Sequence, residues 1–482
     1  MGGLRAAILA ALALGACAAA SPLALAGPAL AARAPLTEAP LTEAQAYDIG
    51  REAYAYLFPL VVMDVTRRVQ TTVAAPGLAP KAAPMNVLAN MRAFPPGDFR
   101  DVVRPNFDTL YSNAWIDLRD GPMVISVKPG IDRYYLLPVM DMWTDVFTVP
   151  GTRTLGAEGA DYVLTAPGWR GDLPAGLRQV EAPTPIVWLI GRTQTNSPTD
   201  YAHVHAIQDG YRLVPLSAWG HLSVREAPTP VVDTEIDRKT PPARIVAQMP
   251  ADRFFTYAAQ LIAIAPPHAV DGPELDRLAR IGFVVGKPFD FDGAPAPVKA
   301  GLARAAVDAR PGIILGLVQA GSARRGWRYI VGGMGAYGGD YGLRAAIAMG
   351  GLGANRPEDA IYPAAFVDAD GKPLDGHNGY ALHFTKAELP PVDAFWSLTL
   401  YDREGYPEPN ALNRFALGDR DPPQYNADGS LDLYIGGADP GVGKSANWLP
   451  AAPAPFSLSL RLYLPKPQAL DGRWSAPPVR RR

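Results

Sequence analysis

The sequence is short of the residues and motifs on which many enzymes depend, and these shortages exclude several functional classes. Its 482 residues contain one cysteine, Cys17, so the chain cannot form an internal disulfide framework. No HExxH, paired CxxC or GxSxG motif is present, which removes the usual sequence support for zinc proteases and α/β-hydrolases. A formal net charge of -2 gives no excess of cations for binding nucleic acid. We therefore expect no nucleic-acid partner, no metal and no organic cofactor.

What the sequence does contain is typical of a globular protein with much β-structure. Hydrophobic residues make up 48% of the chain and charged residues 19%, which suits packed cores and is too little charge for disorder. A chain of this length exceeds one hydrophobic core, so we expect two domains. The 50 prolines and 47 glycines separate short runs of aromatic and β-branched residues, a pattern that favours strands joined by turns.

Residues 1–40 have the composition of an export signal followed by a flexible tract. A basic start, "MGGLR", precedes the apolar stretch "AAILAALALGA", which is too short to span a bilayer as a stable helix. The sequence "LGAC" resembles the lipobox of bacterial lipoproteins, in which Cys17 would carry the lipid. The alternative is an ordinary secretory signal cleaved after Ala26 or Ala34. Both alternatives predict an exported, periplasmic protein of the cell envelope, either anchored to a membrane by lipid or soluble.

Hydrophobic periodicity divides the rest of the chain into three segments. Residues 41–232 begin with a helix, where Thr42 and Gln45 fit a capping box, and continue as short β-rich runs with a few short helices. Residues 233–325 are alanine-rich and read as helices that connect two domains, and residues 326–482 return to strands. The sequence predicts a mainly β protein, α+β overall, in which two antiparallel β-sandwich or jelly-roll-like domains flank a helical block.

Two glycine-containing motifs match nucleotide-binding patterns, but their surroundings favour turns. The motif "ADPGVGKS", from Ala438 to Ser445, is followed by prolines that prevent the helix a phosphate loop needs. Gly333, Gly335 and Gly338 have the spacing of a dinucleotide fingerprint, although no alternating βαβ series flanks them. A dinucleotide-dependent oxidoreductase is therefore the least favoured function.

Long stretches of the sequence resemble a known two-domain family. They include "RPNFDTLYSNAWIDL", "RYYLLPVMDMWTDVF", "AFWSLTLYD" and "FSLSLRLYLP". These stretches resemble the paired domains of unknown function DUF1254 (amino-terminal) and DUF1214 (carboxy-terminal), and the resemblance extends over about residues 45–480. It implies a two-domain, largely β fold in exported bacterial proteins, and it implies no particular reaction.

Polar and aromatic residues recur near predicted strand ends. Aromatic rings that stack on apolar faces, together with a few charged groups, suit a concave site for a small molecule or a sugar. We expect the protein to bind such a ligand in a cleft between the two β domains. An alternative prediction is that it also hydrolyses this ligand. The same residues would otherwise form buried hydrogen-bonded networks in a non-catalytic envelope lipoprotein with a binding or structural role. The predicted catalytic residues are Asp108, Tyr111 and Asp141, and the predicted ligand-binding residues are Trp143, Tyr337, Tyr341 and Arg344.

The predicted anchor at Cys17 can be tested by fractionation. If Cys17 carries a lipid, Cys17→Ser moves the protein from the membrane fraction to the soluble exported fraction, because the serine hydroxyl cannot form the thioether. Ser21→Ala, a nearby change that leaves the motif intact, keeps the wild-type distribution. A wild-type protein that is already soluble, with an amino terminus at residue 27 or 35, rules out the anchor.

Overall fold

The described part of the chain forms β-sheets near both of its ends, with helices between them. The computed structural model describes residues 40–77, 81–100, 103–221 and 229–482. Cys17 and the predicted leader therefore lie outside the described residues. We call residues 89–215 the amino-terminal β region and residues 322–481 the carboxy-terminal β region.

The amino-terminal β region contains two sheets that share an apolar core. Its strands are β1 (Ala89–Asn90), β2 (Thr109–Asp117), β3 (Met123–Val127), β4 (Tyr135–Leu136), β5 (Val139–Met140), β6 (Val146–Thr148), β7 (Ala160–Thr165), β8 (Arg178–Glu181), β9 (Ile186–Gln194) and β10 (Arg212–Pro215). One sheet has the order β1-β2-β9-β5-β6, with β4 also on β9, and the other has the order β10-β3-β7-β8. Ile116 and Leu189 of the first sheet pack with Ile125 and Leu164 of the second. The two sheets therefore form a sandwich.

The carboxy-terminal β region repeats this arrangement with longer central strands. Its strands are β11 (Ser322–Arg324), β12 (Trp327–Tyr329), β13 (Ala360–Ile361), β14 (Ala364–Ala365), β15 (Tyr380–Phe384), β16 (Val392–Asp402), β17 (Ala416–Gly418), β18 (Leu431–Gly436), β19 (Trp448–Pro450), β20 (Phe456–Pro465) and β21 (Arg480–Arg481). The larger sheet has the order β11-β12-β14-β20-β16-β17, with β13 also on β20, and the smaller has the order β19-β18-β15-β21. Leucines from β16 and β20 pack against leucines from β15 and β18.

Helices cover the outer face of the first amino-terminal sheet. The described residues contain the helices α1 (Glu43–Thr71), α2 (Thr152–Leu155), α3 (Tyr201–Gln208), α4 (Pro242–Ala247), α5 (Ala251–Ile264), α6 (Gly272–Arg280), α7 (Ala296–Gln319), α8 (Tyr341–Gly350) and α9 (Pro467–Leu470). Of these, α1, α4, α5, α6, α7 and α8 contribute residues to the core on this face. Trp115 of β2 and Trp188 of β9 are paired across the sheet, their rings stack at 5.0 Å, and they belong to the same core as α1, α5 and α7. Helix α1 thus joins the helices of the central segment in one layer.

The long helices α1 and α7 approach each other closely at two glycines. A Cβ atom on Gly301 would lie 2.7 Å from the backbone nitrogen of Tyr47 and 2.8 Å from the backbone oxygen of Glu43. A Cβ atom on Gly50 would lie 2.8 Å from the side chain of Leu302. Glycine at these positions lets the helix backbones pack at a distance that any side chain would prevent.

Several sequence predictions are confirmed. The fold is mainly antiparallel β with a helical region, although β7–β8 and β18–β19 pair in parallel. Thr42 and Gln45 form the predicted capping box at the start of α1. The "ADPGVGKS" motif lies in the connection between β18 and β19, and β12, which precedes the glycine turn 333–338, pairs only antiparallel in the described sheet. Within the described ranges, no helix has both the length and the apolar character that a membrane span requires.

The helix crossing predicts opposite effects for two substitutions in α7. Gly301→Ala lowers the free energy of unfolding by about 1–3 kcal/mol, because the new methyl group meets backbone atoms of α1 that must shift. Gly312→Ala, on the same helix but with nothing within 4 Å of the added Cβ, raises it by up to about 1 kcal/mol through helix propensity. Urea unfolding of both variants measures the difference. Equal effects would contradict the close crossing.

Candidate functional site

Asp108 is a buried carboxylate that joins the two β regions. It has no exposed surface, and it accepts hydrogen bonds from Ser397 Oγ at 2.7 Å and Tyr463 OH at 3.0 Å. Arg420 Nη2 lies 2.6 Å from its other oxygen as a salt bridge. All three partners come from the carboxy-terminal β region, on β16, on β20 and just after β17. The predicted catalytic residue Asp108 is therefore part of the contact between the two regions.

The turn before β2 places Asp108 at this contact. Asn106 Oδ1 accepts hydrogen bonds from the backbone nitrogens of Asp108 at 2.6 Å and of Thr109 at 3.1 Å. This arrangement is an Asx turn, in which a side chain satisfies backbone donors at the entry of a strand. Asn106 Nδ2 also donates to Tyr463 OH at 3.0 Å. Asn106 in the turn and the carboxylate of Asp108 therefore both form hydrogen bonds with Tyr463.

Tyr111, three residues further along β2, is surrounded by cations. It pairs directly with Arg192 of β9, whose Cζ lies 5.1 Å from the centroid of the Tyr111 ring. Lys81 Nζ lies 4.3 Å from the same centroid. Arg461 of β20 also acts electrostatically on Tyr111. These distances are within the range of cation–π interactions.

Arg192 is held in place by acceptors that leave its charge uncompensated. Its Nη1 donates to Asn355 Oδ1 at 2.6 Å and its Nη2 donates to the backbone oxygen of Gly353 at 2.7 Å. Asn355 donates in turn to Tyr362 OH at 2.5 Å. Arg192 Nη1 also donates to the backbone oxygen of Ile190 at 3.2 Å. All three acceptors are neutral, so they fix the orientation of the guanidinium without cancelling its positive charge.

The pKa of Tyr111 records the excess of positive charge. Burial by itself would raise the pKa of this phenol, but Arg192, Lys81 and Arg461 outweigh burial and lower it to about 8. Burial lowers the pKa of Lys81 and raises the pKa of Tyr362. The phenolate form of Tyr111 is therefore accessible at mildly alkaline pH.

These side chains form one contiguous group around Tyr111, in which Arg461 Cζ also lies 5.5 Å from the centroid of the Tyr362 ring. Burial is the largest influence on the pKa values of Lys81, Tyr111 and Tyr362, and yet each of the three keeps part of its surface accessible. Arg192 and Arg461 are each 6% exposed. We call Lys81, Tyr111, Arg192, Tyr362 and Arg461 the basic recess.

Asp141, the third predicted catalytic residue, lies in a different group. It has no exposed surface, and its Oδ2 lies 2.6 Å from Nε2 of His268. His268 Nδ1 lies 3.7 Å from Asp145 Oδ2, and Arg344 Nη2 lies 3.4 Å from the same oxygen. We call Asp141, Asp145, His268 and Arg344 the Asp141 cluster. It links the turn after β5 with the segment before α6 and with α8.

Burial and charge act in opposite directions on the acidic and basic members of the Asp141 cluster. Burial would lower the pKa of His268, but its hydrogen bond to Asp141 and the charges of Asp141 and Asp145 raise it overall. Burial raises the pKa of Asp145, and Arg344 only partly offsets the increase. The cluster contains two carboxylates, one arginine and one histidine. Its charges balance when His268 is protonated.

The predicted ligand-binding residues all lie in or beside the Asp141 cluster. Trp143 has no exposed surface, stacks on Tyr56 at 4.8 Å and donates its indole N–H to the backbone oxygen of Pro266. Tyr337 donates its backbone N–H to Asp145 Oδ1 at 3.2 Å, and Tyr341 OH donates to Asp271 Oδ1 at 2.9 Å. Burial and Asp271 raise the pKa of Tyr341 to about 12.

The structure therefore joins the predicted site residues in two hydrogen-bonded groups rather than in one cleft. Asp108 and Tyr111 lie where the two β regions meet, whereas Asp141 and the predicted ligand-binding residues lie against the helices. The ligand-binding roles of Trp143, Tyr337, Tyr341 and Arg344 stay predictions.

Sequence reasoning missed most members of the basic recess and the histidine of the Asp141 cluster. One signal was present in β20, where Ser457, Ser459, Arg461 and Tyr463 alternate with leucines. Alternation of this kind places all four polar side chains on one face of the strand. Lys81, Arg192 and His268 had no comparable signal, because each reaches the site alone from its own element.

Other features of the surface and interior do not coincide with these groups. Two cavities, of about 220 Å³ and about 560 Å³, lie along α5 and are lined by Tyr257 and Gln260 among others. None of the predicted site residues lines either cavity. Among the residues that the structure describes, no group of three or more acidic, histidine or cysteine side chains is arranged to hold a metal ion.

Comparison with known proteins gives matches over both β regions. The profile described as "Protein of unknown function (DUF1254)" matches residues 85–215, and that described as "Protein of unknown function (DUF1214)" matches residues 359–467. The solved structure of the VPA0106 protein from Vibrio parahaemolyticus is similar, with a TM-score of 0.65 and 23% identity over 91% of this chain and 100% of that chain. An uncharacterised protein from Burkholderia cenocepacia aligns over 91% of this chain and 94% of its own, with 12% identity and a TM-score of 0.42. No curated protein matches the sequence. The Vibrio structure shows that the fold is shared.

The Asp108 contact predicts a large loss of stability for a small chemical change. Asp108→Asn lowers the free energy of unfolding by about 3 kcal/mol, because Arg420 loses its buried counter-charge. Asp393→Asn, at a carboxylate that is mostly exposed, changes stability by less than about 1 kcal/mol. Urea unfolding at neutral pH compares the two variants. An Asp108→Asn protein as stable as the wild type would show that this carboxylate does not hold the two β regions together.

Proposed function

The chain belongs to the family that pairs a DUF1254 domain with a DUF1214 domain, and from that premise we propose that it binds a small acidic molecule in the basic recess. One observation carries the proposal. Three cationic side chains, Lys81, Arg192 and Arg461, converge on Tyr111 in a desolvated interior without a matching set of carboxylates. The ligand would lie where the two β regions meet.

The charge in the recess is not cancelled by Asp108. That carboxylate is already engaged by Arg420, Ser397 and Tyr463, and its Oδ2 lies 4.0 Å from Nε of Arg461. Charges that are removed from water without partners are costly, so buried arginines and lysines are normally paired. An anionic ligand would supply the missing negative charge.

Two of the cations have nitrogens available for such a ligand. Lys81 Nζ makes no hydrogen bond or ion pair with a described residue, and it lies over the ring of Tyr111. Arg461 uses Nη2 on Tyr401 OH and on the backbone oxygen of Arg104, whereas its Nη1 has no hydrogen-bond partner among the described residues. An ammonium and a guanidinium that face one space are a common arrangement for binding carboxylate or phosphate.

The backbone of Lys81 supports a role other than packing. Its φ angle is 59°, in the left-handed region that side-chain-bearing residues seldom adopt. Its backbone oxygen is fixed by Asn113 Nδ2 at 2.6 Å. Local strain of this kind is often found at binding sites, where the surrounding structure holds a side chain in a functional position.

The walls of the recess suit an organic ligand rather than a bare ion. Tyr111 on β2 and Tyr362 between β13 and β14 are each partly accessible. Aromatic rings contribute apolar contact area, and their hydroxyls can bond polar substituents. A small carboxylic acid or an acidic sugar combines these features. This choice refines the glycan-type or small-molecule ligand expected from the sequence, and the predicted leader is the reason to place its binding in the cell envelope.

Calorimetric titration with sulfate and with malonate tests this proposal, with glucose as the neutral control. We expect both dianions to bind the wild type and glucose to show no binding. Lys81→Met weakens dianion binding by roughly tenfold or more, since a charge-assisted hydrogen bond contributes about 1.5–3 kcal/mol.

The matched control is Lys444→Met. Lys444 Nζ also lies over a tyrosine ring, 5.3 Å from the centroid of Tyr434, but on the exposed surface. This variant keeps wild-type affinity for sulfate and malonate. The proposal is overturned if the wild type binds neither dianion, or if the two lysine variants lose affinity equally.

A further inference from the structure

We propose that the basic recess is a proton-transfer site, in which the phenolate of Tyr111 accepts a proton from the acidic ligand held by Lys81 and Arg461. The inference rests on the proposed function, because it needs a ligand in the recess. It adds a reaction class to that function, namely the abstraction of a proton next to an acidic group. Tyr111 would then contact the reacting atoms and be a catalytic residue.

The position of Tyr111 relative to the cations is the geometric basis of the proposal. Arg192 is its direct neighbour across the sheet, and Lys81 lies over its ring at 4.3 Å from the centroid. The ammonium group that would hold the acidic group of a ligand is therefore beside the phenol. A ligand held by this ammonium group would lie next to Tyr111.

The charged and titratable groups near Tyr111 come from several elements of both β regions and from the segment after α1. Positive charge predominates among them, and the one carboxylate in the set is already engaged by partners in the carboxy-terminal β region. The remaining members are neutral phenols whose pKa values burial raises. Among the described residues, those that act on Tyr111 are Lys81 after α1, Arg192 on β9 and Arg461 on β20, with Tyr362 between β13 and β14 also coupled to it; Asp108 before β2 and Tyr463 on β20 act on Arg461.

The pKa of Tyr111 is shifted in the opposite direction from the pKa values of other tyrosines near the basic recess. Its pKa is lowered to about 8, whereas burial raises the pKa values of Tyr362, Tyr463 and Tyr134. A general base works best when its pKa lies near the working pH. Tyr111 therefore has the acid–base property that its neighbours lack.

The proton-transfer step balances without any further reactant. An O–H bond forms on Tyr111 and an X–H bond breaks in the ligand, where X is an oxygen or a carbon next to the acidic group. The electron pair stays on X, and the charges of Lys81 and Arg461 stabilise it. Return of the proton to X regenerates the phenolate. Isomerisation next to a carboxylate is a reaction of this class.

The ionisation of Tyr111 can be tested without a ligand. Phenolate absorbance is recorded on the folded protein from pH 6 to 9.5. We expect one of the 20 tyrosines to titrate near pH 8, well before the others. Tyr111→Phe removes this early component, and Lys81→Met moves it to higher pH because one of the stabilising charges is lost. Tyr425→Phe, at an exposed tyrosine, leaves it unchanged.

Binding of sulfate then tests the coupling between ligand and proton. Sulfate is fully ionised in this pH range, so any proton exchanged belongs to the protein. A bound dianion raises the pKa of Tyr111, and the wild type takes up about half a proton per sulfate at pH 8 and almost none at pH 6.5. Calorimetry in buffers of different ionisation enthalpy measures this uptake. Tyr111→Phe binds sulfate with a smaller uptake at pH 8.

The outcomes separate this inference from the proposed function. If sulfate binds but no tyrosine titrates near pH 8, or if Tyr111→Phe shows the same proton uptake as the wild type, proton transfer by Tyr111 is overturned and binding stands. If neither sulfate nor malonate binds, the proposed function fails, whatever the titration shows. Lys81→Met provides a second test of the electrostatics should Tyr111→Phe fail to fold.

Discussion

The contact between Asp108 and Arg420 is the interaction on which the arrangement of the two β regions depends. It places a charged pair, with Arg420 Nη2 2.6 Å from the carboxylate, where both groups are nearly free of solvent. Such a pair is retained only when its geometry is good and its remaining hydrogen-bonding capacity is satisfied. Ser397 and Tyr463 donate the hydrogen bonds that satisfy the second oxygen of Asp108. The contact joins β20 to the entry of β2, and Arg461 on β20 is close enough to act electrostatically on Tyr111 of β2.

This contact also explains why the basic recess keeps its positive charge. Asp108 is close enough to act on Arg461 and Tyr463, but its strongest contacts are with other partners. The five members of the recess include three cations and no carboxylate. A carboxylate aimed into the recess would stabilise the empty protein and would compete with an acidic ligand. None of these five side chains is a carboxylate, as a binding site for anions requires.

The local features of the fold could be predicted from the sequence, whereas the site could be predicted only in part. The capping box of Thr42 and Gln45 depends on neighbours along the chain, and so it is visible in the sequence. The partners of Asp108 lie 289 residues away at Ser397 and 355 residues away at Tyr463, and no local pattern fixes which strand faces which. Asp108 and Tyr111 were found because polar residues at a strand entry are conspicuous. Lys81 was not, since one lysine after a helix is ordinary.

Charge balance distinguishes the two groups that the sequence treated as one. In the Asp141 cluster, two carboxylates face Arg344 and a histidine whose pKa is raised, so the protein supplies its own counter-charges. The charges of such a cluster balance without a ligand, although Nε and Nη1 of Arg344 are buried without a hydrogen-bond partner among the described residues. Its contacts connect a turn with two helical segments. The basic recess differs, because the one carboxylate near its three cations in the described part of the chain is Asp108, which lies 4.0 Å from Arg461 and is already paired with Arg420. A buried group of residues that compensates its own charges is explained by structure, and one that leaves a single sign of charge uncompensated calls for a ligand of the opposite sign. This criterion is the basis of the binding proposal for Tyr111 and its three cations, and it favours a structural role for Asp141, whose contacts connect a turn of the amino-terminal β region with the helices.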